Sequence, residues 1–104
     1  MITAHVSIKN ERYCGFSCSG HAGYGYRGND VVCAAVSTLV INTANAIEKL
    51  TDCDFKSESK SDEIIFIFNS EPDDKASLLM DALVLGLKEI QKEYGKKYLN
   101  LVIQ

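Results

Sequence analysis

Gly20-His21-Ala22-Gly23-Tyr24-Gly25-Tyr26-Arg27-Gly28-Asn29-Asp30-Val31-Val32-Cys33-Ala34-Ala35-Val36-Ser37 decides how the chain folds, because three kinds of structure meet inside it. An alternating segment ends at a histidine. An aromatic loop follows, whose three glycines between Gly23 and Gly28 remove the restraint of regular structure. A helix then starts at Asn29 or Asp30, both good N-caps; with Asp30 as cap, Val31, Val32 and Cys33 fill the first turn.

Upstream, Ile2 to Lys9 alternates, with Ile2, Ala4, Val6 and Ile8 on one face and Thr3, His5, Ser7 and Lys9 on the other, the pattern of a half-buried strand. Asn10-Glu11-Arg12 reads as a polar turn. Tyr13 to Gly20 alternates again, with Cys14, Phe16 and Cys18 together, so a hairpin delivers His21 at its end. Downstream, the first helix runs to Leu50-Thr51 with a wide face of Val31, Ala34, Ala35, Thr38, Leu39, Ile41, Asn42, Asn45 and Ala46. Cys53–Glu58 and Glu63–Asn69 flank the turn-rich Ser59-Lys60-Ser61-Asp62 as a second hairpin. The unbroken Ile64-Ile65-Phe66-Ile67-Phe68 predicts a central strand covered on both sides.

Ser70-Glu71-Pro72-Asp73 opens a second helix, with Pro72 expected in its first turn. Ala76, Leu79, Met80, Leu83, Val84, Leu87, Ile90 and Tyr94 form its apolar stripe, and Gly95 ends it. Tyr98–Ile103 is a last strand. The order β-β-α-β-β-α-β predicts an α+β two-layer sandwich, two helices on a mixed sheet, with residues 1–104 as a single domain.

Composition narrows the function. Of the 104 residues, 46% are hydrophobic and 24% charged, ordinary for a globular domain, and the net charge of −3 offers no basic face for nucleic acid. No segment reads as a signal peptide or a membrane span, so a cytoplasmic protein without membrane or direct nucleic-acid partners is expected. In that compartment Cys14, Cys18, Cys33 and Cys53 are expected to be reduced.

Cys33 carries the chemistry. A helix start presents backbone N–H groups without intrahelical partners and the positive end of the dipole, which favour a thiolate and can hold an oxyanion on a bound carbonyl. The competing reading is a small core residue. His21, twelve positions earlier, is of the residue type that takes a thiol proton and returns it to a leaving amine. His5 lies on the polar strand face. Asp30 either caps the helix or orients the imidazole as a third catalytic member, and the two roles are compatible. Gly23, Tyr24, Gly25, Tyr26, Arg27 and Gly28 lack a phosphate-loop ending and read as a lid over a peptide substrate. Cys14, Cys18, His21 and Cys33 offer zinc-type ligands, but their C-x3-C-x2-H-x11-C spacing lacks a tight knuckle, and neither a metal nor another cofactor is expected.

In Gly20-His21-Ala22-Gly23 and Gly28-Asn29-Asp30-Val31-Val32-Cys33-Ala34-Ala35-Val36-Ser37 the chain resembles the ribosomal-processing cysteine proteases called Prp. The resemblance implies a cysteine endopeptidase with Cys33 as nucleophile and His21 as proton-transfer residue. It also implies a homodimer and a lid that orders over substrate. The implied substrate is the N-terminal segment of a large-subunit ribosomal protein, number twenty-seven, whose short extension is removed in support of ribosome assembly. The alternative is a non-catalytic module that binds ribosomal proteins or assembly factors.

Overall fold

The structure, a computed structural model, describes residues 1–26 and 28–104; Arg27, expected in the substrate loop, lies outside the described residues. The elements follow the expected order: β1 (Ile2–Lys9), β2 (Arg12–Ser19), α1 (Val31–Leu50), β3 (Phe55–Lys60), β4 (Glu63–Phe68), α2 (Asp74–Tyr94) and β5 (Leu99–Ile103). They form a five-stranded sheet ordered β3-β4-β2-β1-β5. Among the described residues only the β1–β5 pairing is parallel, which makes the sheet mixed.

The β1–β2 connection is tighter than expected. Asn10 and Glu11 both take positive φ, 54° and 65°, and Lys9 pairs directly with Arg12. Such a two-residue turn follows the right-handed twist of the flanking strands. Arg12 therefore belongs to β2 and not to the turn. Its guanidinium donates to the Pro72 carbonyl at 2.8 Å, Ser77 Oγ at 2.9 Å and Asp74 Oδ1 at 2.8 Å, pinning the hairpin to the start of α2. Asp74 and that hydrogen bond, more than burial, keep the guanidinium firmly charged.

One core joins the two helices to one face of the sheet. The register aligns Val6, Phe16 and Phe66 across three strands, and Phe66 stacks on Phe16 and Phe55 at ring separations of 4.9 and 4.6 Å. The expectation that β4 is covered on both faces does not hold. Phe66 and Phe68 are buried, whereas Ile67 is 50% exposed, because both helices pack on the same side and the pleat sends Ile67 to the other. Nor is β4 the central strand: β2 is.

The helices also differ in detail from expectation. In α1 the buried stripe is Val32, Val36, Val40, Thr43 and Ile47. Ala34, Ala35, Thr38 and the larger Leu39 line a groove against Gly86 and Ile90 of α2. The same helix corrects the membrane expectation: α1 is long and apolar enough to match a span by length and composition, with mean hydropathy 1.5. Its β-branched stripe is spent on the core. In α2 the expected stripe faces the core, with Ala76, Met80, Leu83, Val84 and Leu87 buried and Leu79, Ile90 and Tyr94 partly so, but Pro72 precedes the helix. Asp73 is the cap, its carboxylate accepting from Ala76 N at 2.8 Å, so Pro72 lies one residue before the cap.

Candidate active site

Cys33 occupies the third position of α1, as expected, and Asp30 is the residue that puts it there. Asp30 Oδ1 accepts from the amides of Val32 and Cys33, both at 3.0 Å. Oδ2 accepts from Tyr24 N at 2.9 Å and Gly25 N at 3.2 Å. A single side chain, only 9% exposed, thus ties the glycine loop to the first helical turn. Burial alone would push this carboxyl up, yet the N–H donors of Cys33, Gly25, Tyr24 and Val32 together hold it below the ordinary carboxylate range.

Two expectations change as a result. Asp30 does not orient the imidazole, because both its oxygens are engaged by backbone N–H groups, and its role is cap and loop clamp. The amides of Val32 and Cys33 are likewise already committed to Asp30, so the helix start does not present them to an oxyanion. The backbone donor that reaches the sulfur is Ala22 N, 3.2 Å from Cys33 Sγ.

That contact joins the two halves of the site. Ala22 follows His21, so the peptide linking them sits against the thiol. The histidine segment is held from three directions. The Met1 α-amino group donates to the His21 carbonyl. Gly20 turns the chain out of β2 at φ 88°, and its N–H donates to the Asp62 carbonyl at 3.1 Å. The imidazole Nε2 lies 3.0 Å from Asp62 Oδ1, with the two side chains 62% and 61% exposed. Reading the sequence for function missed Asp62, which lies at the β3–β4 turn, forty-one positions from His21. Only the pairing of β2 with β4 signals the approach, and register is not visible in either strand alone.

His21 and Cys33 open onto two clefts that share both residues and Ser37. One, about 220 Å³, runs between α1 and the β3–β4 turn, with Cys18, Val36, Val40 and Ile64 in its walls. The other, about 440 Å³, lies under the loop, bounded by Gly23, Gly25, Gly28 and Asp30. The loop's aromatics separate: Tyr24 packs edge-on to Tyr94 and Tyr98 at 5.1 and 5.0 Å, while Tyr26 projects outward. Cys18 is buried beneath the site, which pushes its thiol up to about 11. Cys14, displaced where the β1–β2 register shifts, lines a different cleft with Phe68 and Pro72. Among the described residues no three His, Cys, Asp or Glu side chains gather as a metal-binding group. His5 hydrogen-bonds Gln104.

The chain as a whole is similar to known proteins. Residues 1–99 match the family described as cysteine protease Prp. The ribosomal processing cysteine protease Prp of Staphylococcus aureus is 27% identical over 99 residues, covering 92% of this chain and 93% of that protein. Its Bacillus subtilis namesake is 29% identical over 101 residues, covering 90% of each. The crystal structure of S. aureus Prp, described as an essential ribosomal processing protease in complex with a covalently linked product peptide, superposes with a TM-score of 0.94 at 25% identity over the full length of both chains. The chain belongs to the cysteine protease Prp family.

Proposed function

We propose that this member of the Prp family is a cytoplasmic endopeptidase that removes the N-terminal extension of large-subunit ribosomal protein number twenty-seven, using His21 and Cys33 as a dyad. The observation that carries the dyad is the 3.2 Å hydrogen bond from Ala22 N to Cys33 Sγ, which seats the histidine segment on the thiol. The ribosomal substrate is supported by the relatives, which are named for ribosomal processing. A homodimer is part of the proposal, on the resemblance alone.

In this mechanism the Cys33 proton passes to His21 and the thiolate attacks the scissile carbonyl carbon, forming a C–S bond and an oxyanion. The C–N bond breaks as the imidazolium gives its proton to the leaving amine. Water then attacks the thioester, with His21 taking one of its protons. The C–S bond breaks, and the proton returns to sulfur as the carboxylate product leaves. The Ala22 amide stabilises negative charge on sulfur before attack. An extended peptide lying through both clefts brings its scissile bond to their junction, since His21 and Cys33 line both of them. Gly23, Tyr24, Gly25, Tyr26 and Gly28 cover it, and Tyr26 is the described aromatic free to meet a substrate side chain.

The test is cleavage of a peptide spanning the extension junction of that ribosomal protein, by wild type, Cys33→Ala and His21→Ala. Both variants are expected to fold and to lose cleavage. Cleavage by Cys33→Ala removes the covalent mechanism and leaves a binding role. Light scattering of the purified protein tests the dimer, and a monomer mass at working concentration rejects it.

A further inference from the structure

The turn between β3 and β4 brings a carboxylate to the catalytic imidazole from outside the motif that carries the family resemblance. We propose that Asp62 is a positioning residue: it holds the His21 ring in the tautomer and orientation that turn Nδ1, not Nε2, toward the thiol of Cys33. The inference rests on the dyad reading above and extends it to a residue that touches neither substrate carbonyl nor sulfur.

Three observations lead here. Asp62 Oδ1 lies 3.0 Å from His21 Nε2, the length of a direct hydrogen bond. The backbone fixes that approach independently of the side chains. Ser19 pairs with Glu63, Lys60 pairs with Glu63, and Gly20 N donates to the Asp62 carbonyl at 3.1 Å. The residue before the histidine and the residue bearing the carboxylate are therefore bonded to each other. Finally, Asp62, His21 and Cys33 border the same cleft, so the carboxylate meets the ring at the face where the chemistry occurs.

The chemistry follows from what each group can do. An ionised carboxylate only accepts, so the ring nitrogen facing it carries the hydrogen. In a neutral imidazole the other nitrogen then holds the lone pair, and Nδ1 becomes the base. When Nδ1 takes the Cys33 proton, the Nε2 proton stays on the ring, and the carboxylate stabilises the imidazolium that forms without being protonated itself. In the free protein the pair is open to water and contributes little to stability. A peptide lying in the cleft excludes that water and strengthens the bond when it is needed.

The experiment compares wild type, Asp62→Ala, Asp62→Asn and Cys33→Ala on the same peptide. It also follows the His21 ring nitrogens by 15N NMR of the free proteins. Asp62→Ala is expected to lower kcat about 10- to 100-fold with KM within about twofold, because position and not binding is lost. Asp62→Asn, whose amide oxygen accepts the same bond, recovers part of kcat. The wild-type ring reports hydrogen on Nε2, and Asp62→Ala reports a mixture of tautomers. A wild-type kcat and an unchanged tautomer in Asp62→Ala, with Cys33→Ala inactive, overturn the inference and leave the dyad intact. A KM rise at constant kcat also overturns it, since Asp62 would then be a substrate contact. Cleavage by Cys33→Ala overturns the dyad and this role with it.

Discussion

A methyl group placed on Gly20 tests how the histidine segment is held. Gly20 has φ 88°, a left-handed conformation, and a Cβ built there falls 2.5 Å from the Met1 carbonyl oxygen. That oxygen is backbone immediately before β1, a strand bonded to β2 on one side and β5 on the other, so it has little freedom to move away. The left-handed conformation costs an L-residue ~1–2 kcal/mol. Forcing an extra carbon into a packed position costs a further ~1–3 kcal/mol. Gly20→Ala is therefore expected to destabilise by about 2–5 kcal/mol. Gly23 supplies the control. Its φ is 72°, but nothing lies within 4 Å of a built Cβ, so Gly23→Ala carries only the conformational part, ~1–2 kcal/mol. Urea unfolding with m held constant measures both, and the difference isolates the clash with Met1. Because the displaced strand start and the Met1 amino group bound to His21 are the same residue, Gly20→Ala should also lower kcat more than its loss of folded protein explains. Gly20→Ala no less stable than Gly23→Ala would refute the reasoning, since it would mean that β1 is not packed against the turn into His21.

Two titrations give further checks. Burial opposes ionisation of Asp30 and four amides favour it, and the amides win, so its folded-state value lies below the unfolded one of ~3.9. The stability from the clamp is then complete above that value and is lost as pH falls through the lower folded value. Asp30→Asn should flatten the acid side of a melting-temperature series, and an unchanged acid side would contradict the clamp. Cys18 behaves in the opposite sense: burial raises its thiol to about 11, so its contribution is complete below the unfolded value of ~8.5 and is lost as pH rises through the folded one. Peptide mapping after brief iodoacetamide treatment at pH 8 should find Cys33 alkylated and Cys18 untouched until the protein unfolds. Labelling of folded Cys18 would mean that the core beneath the site opens.

Local pattern carried much of the fold into view. The alternation of Ile2, Ala4 and Val6, and the stripe of Ala76, Met80, Leu83 and Leu87, each state their own burial, because the period of the element is written in adjacent residues. The Asp30 cap is local in the same way, since its acceptor and the amides it serves are within three residues. What stayed hidden was relative placement. Nothing within Ile64–Phe68 says that both helices settle on one side of the sheet, so its apolar run suggests two covered faces where there is one. The small residues of α1 suggest a core face, whereas they meet Gly86 across a groove, which is a property of two helices and not of one.

The site divides along the same line. The positions of His21 and Cys33 are legible because each stands at an element boundary that its neighbours announce. Their two carboxylates are not equally legible, although both are aspartates in polar stretches. Asp30 attracts attention by lying three residues from the thiol, and proximity in sequence suggests that it serves the imidazole. Its capacity is exhausted by four amides. The imidazole is served by Asp62, which reaches it only because β4 pairs with β2 in a register that ends at Ser19 and Glu63. A shift of that register by one residue would reverse the facing of every side chain on β4, burying Ile65 and Ile67 in place of Phe66 and Phe68. The aromatic stack in the core thus selects the register that carries Asp62 to His21. Core packing and the placement of the His21 ring are in this protein a single constraint.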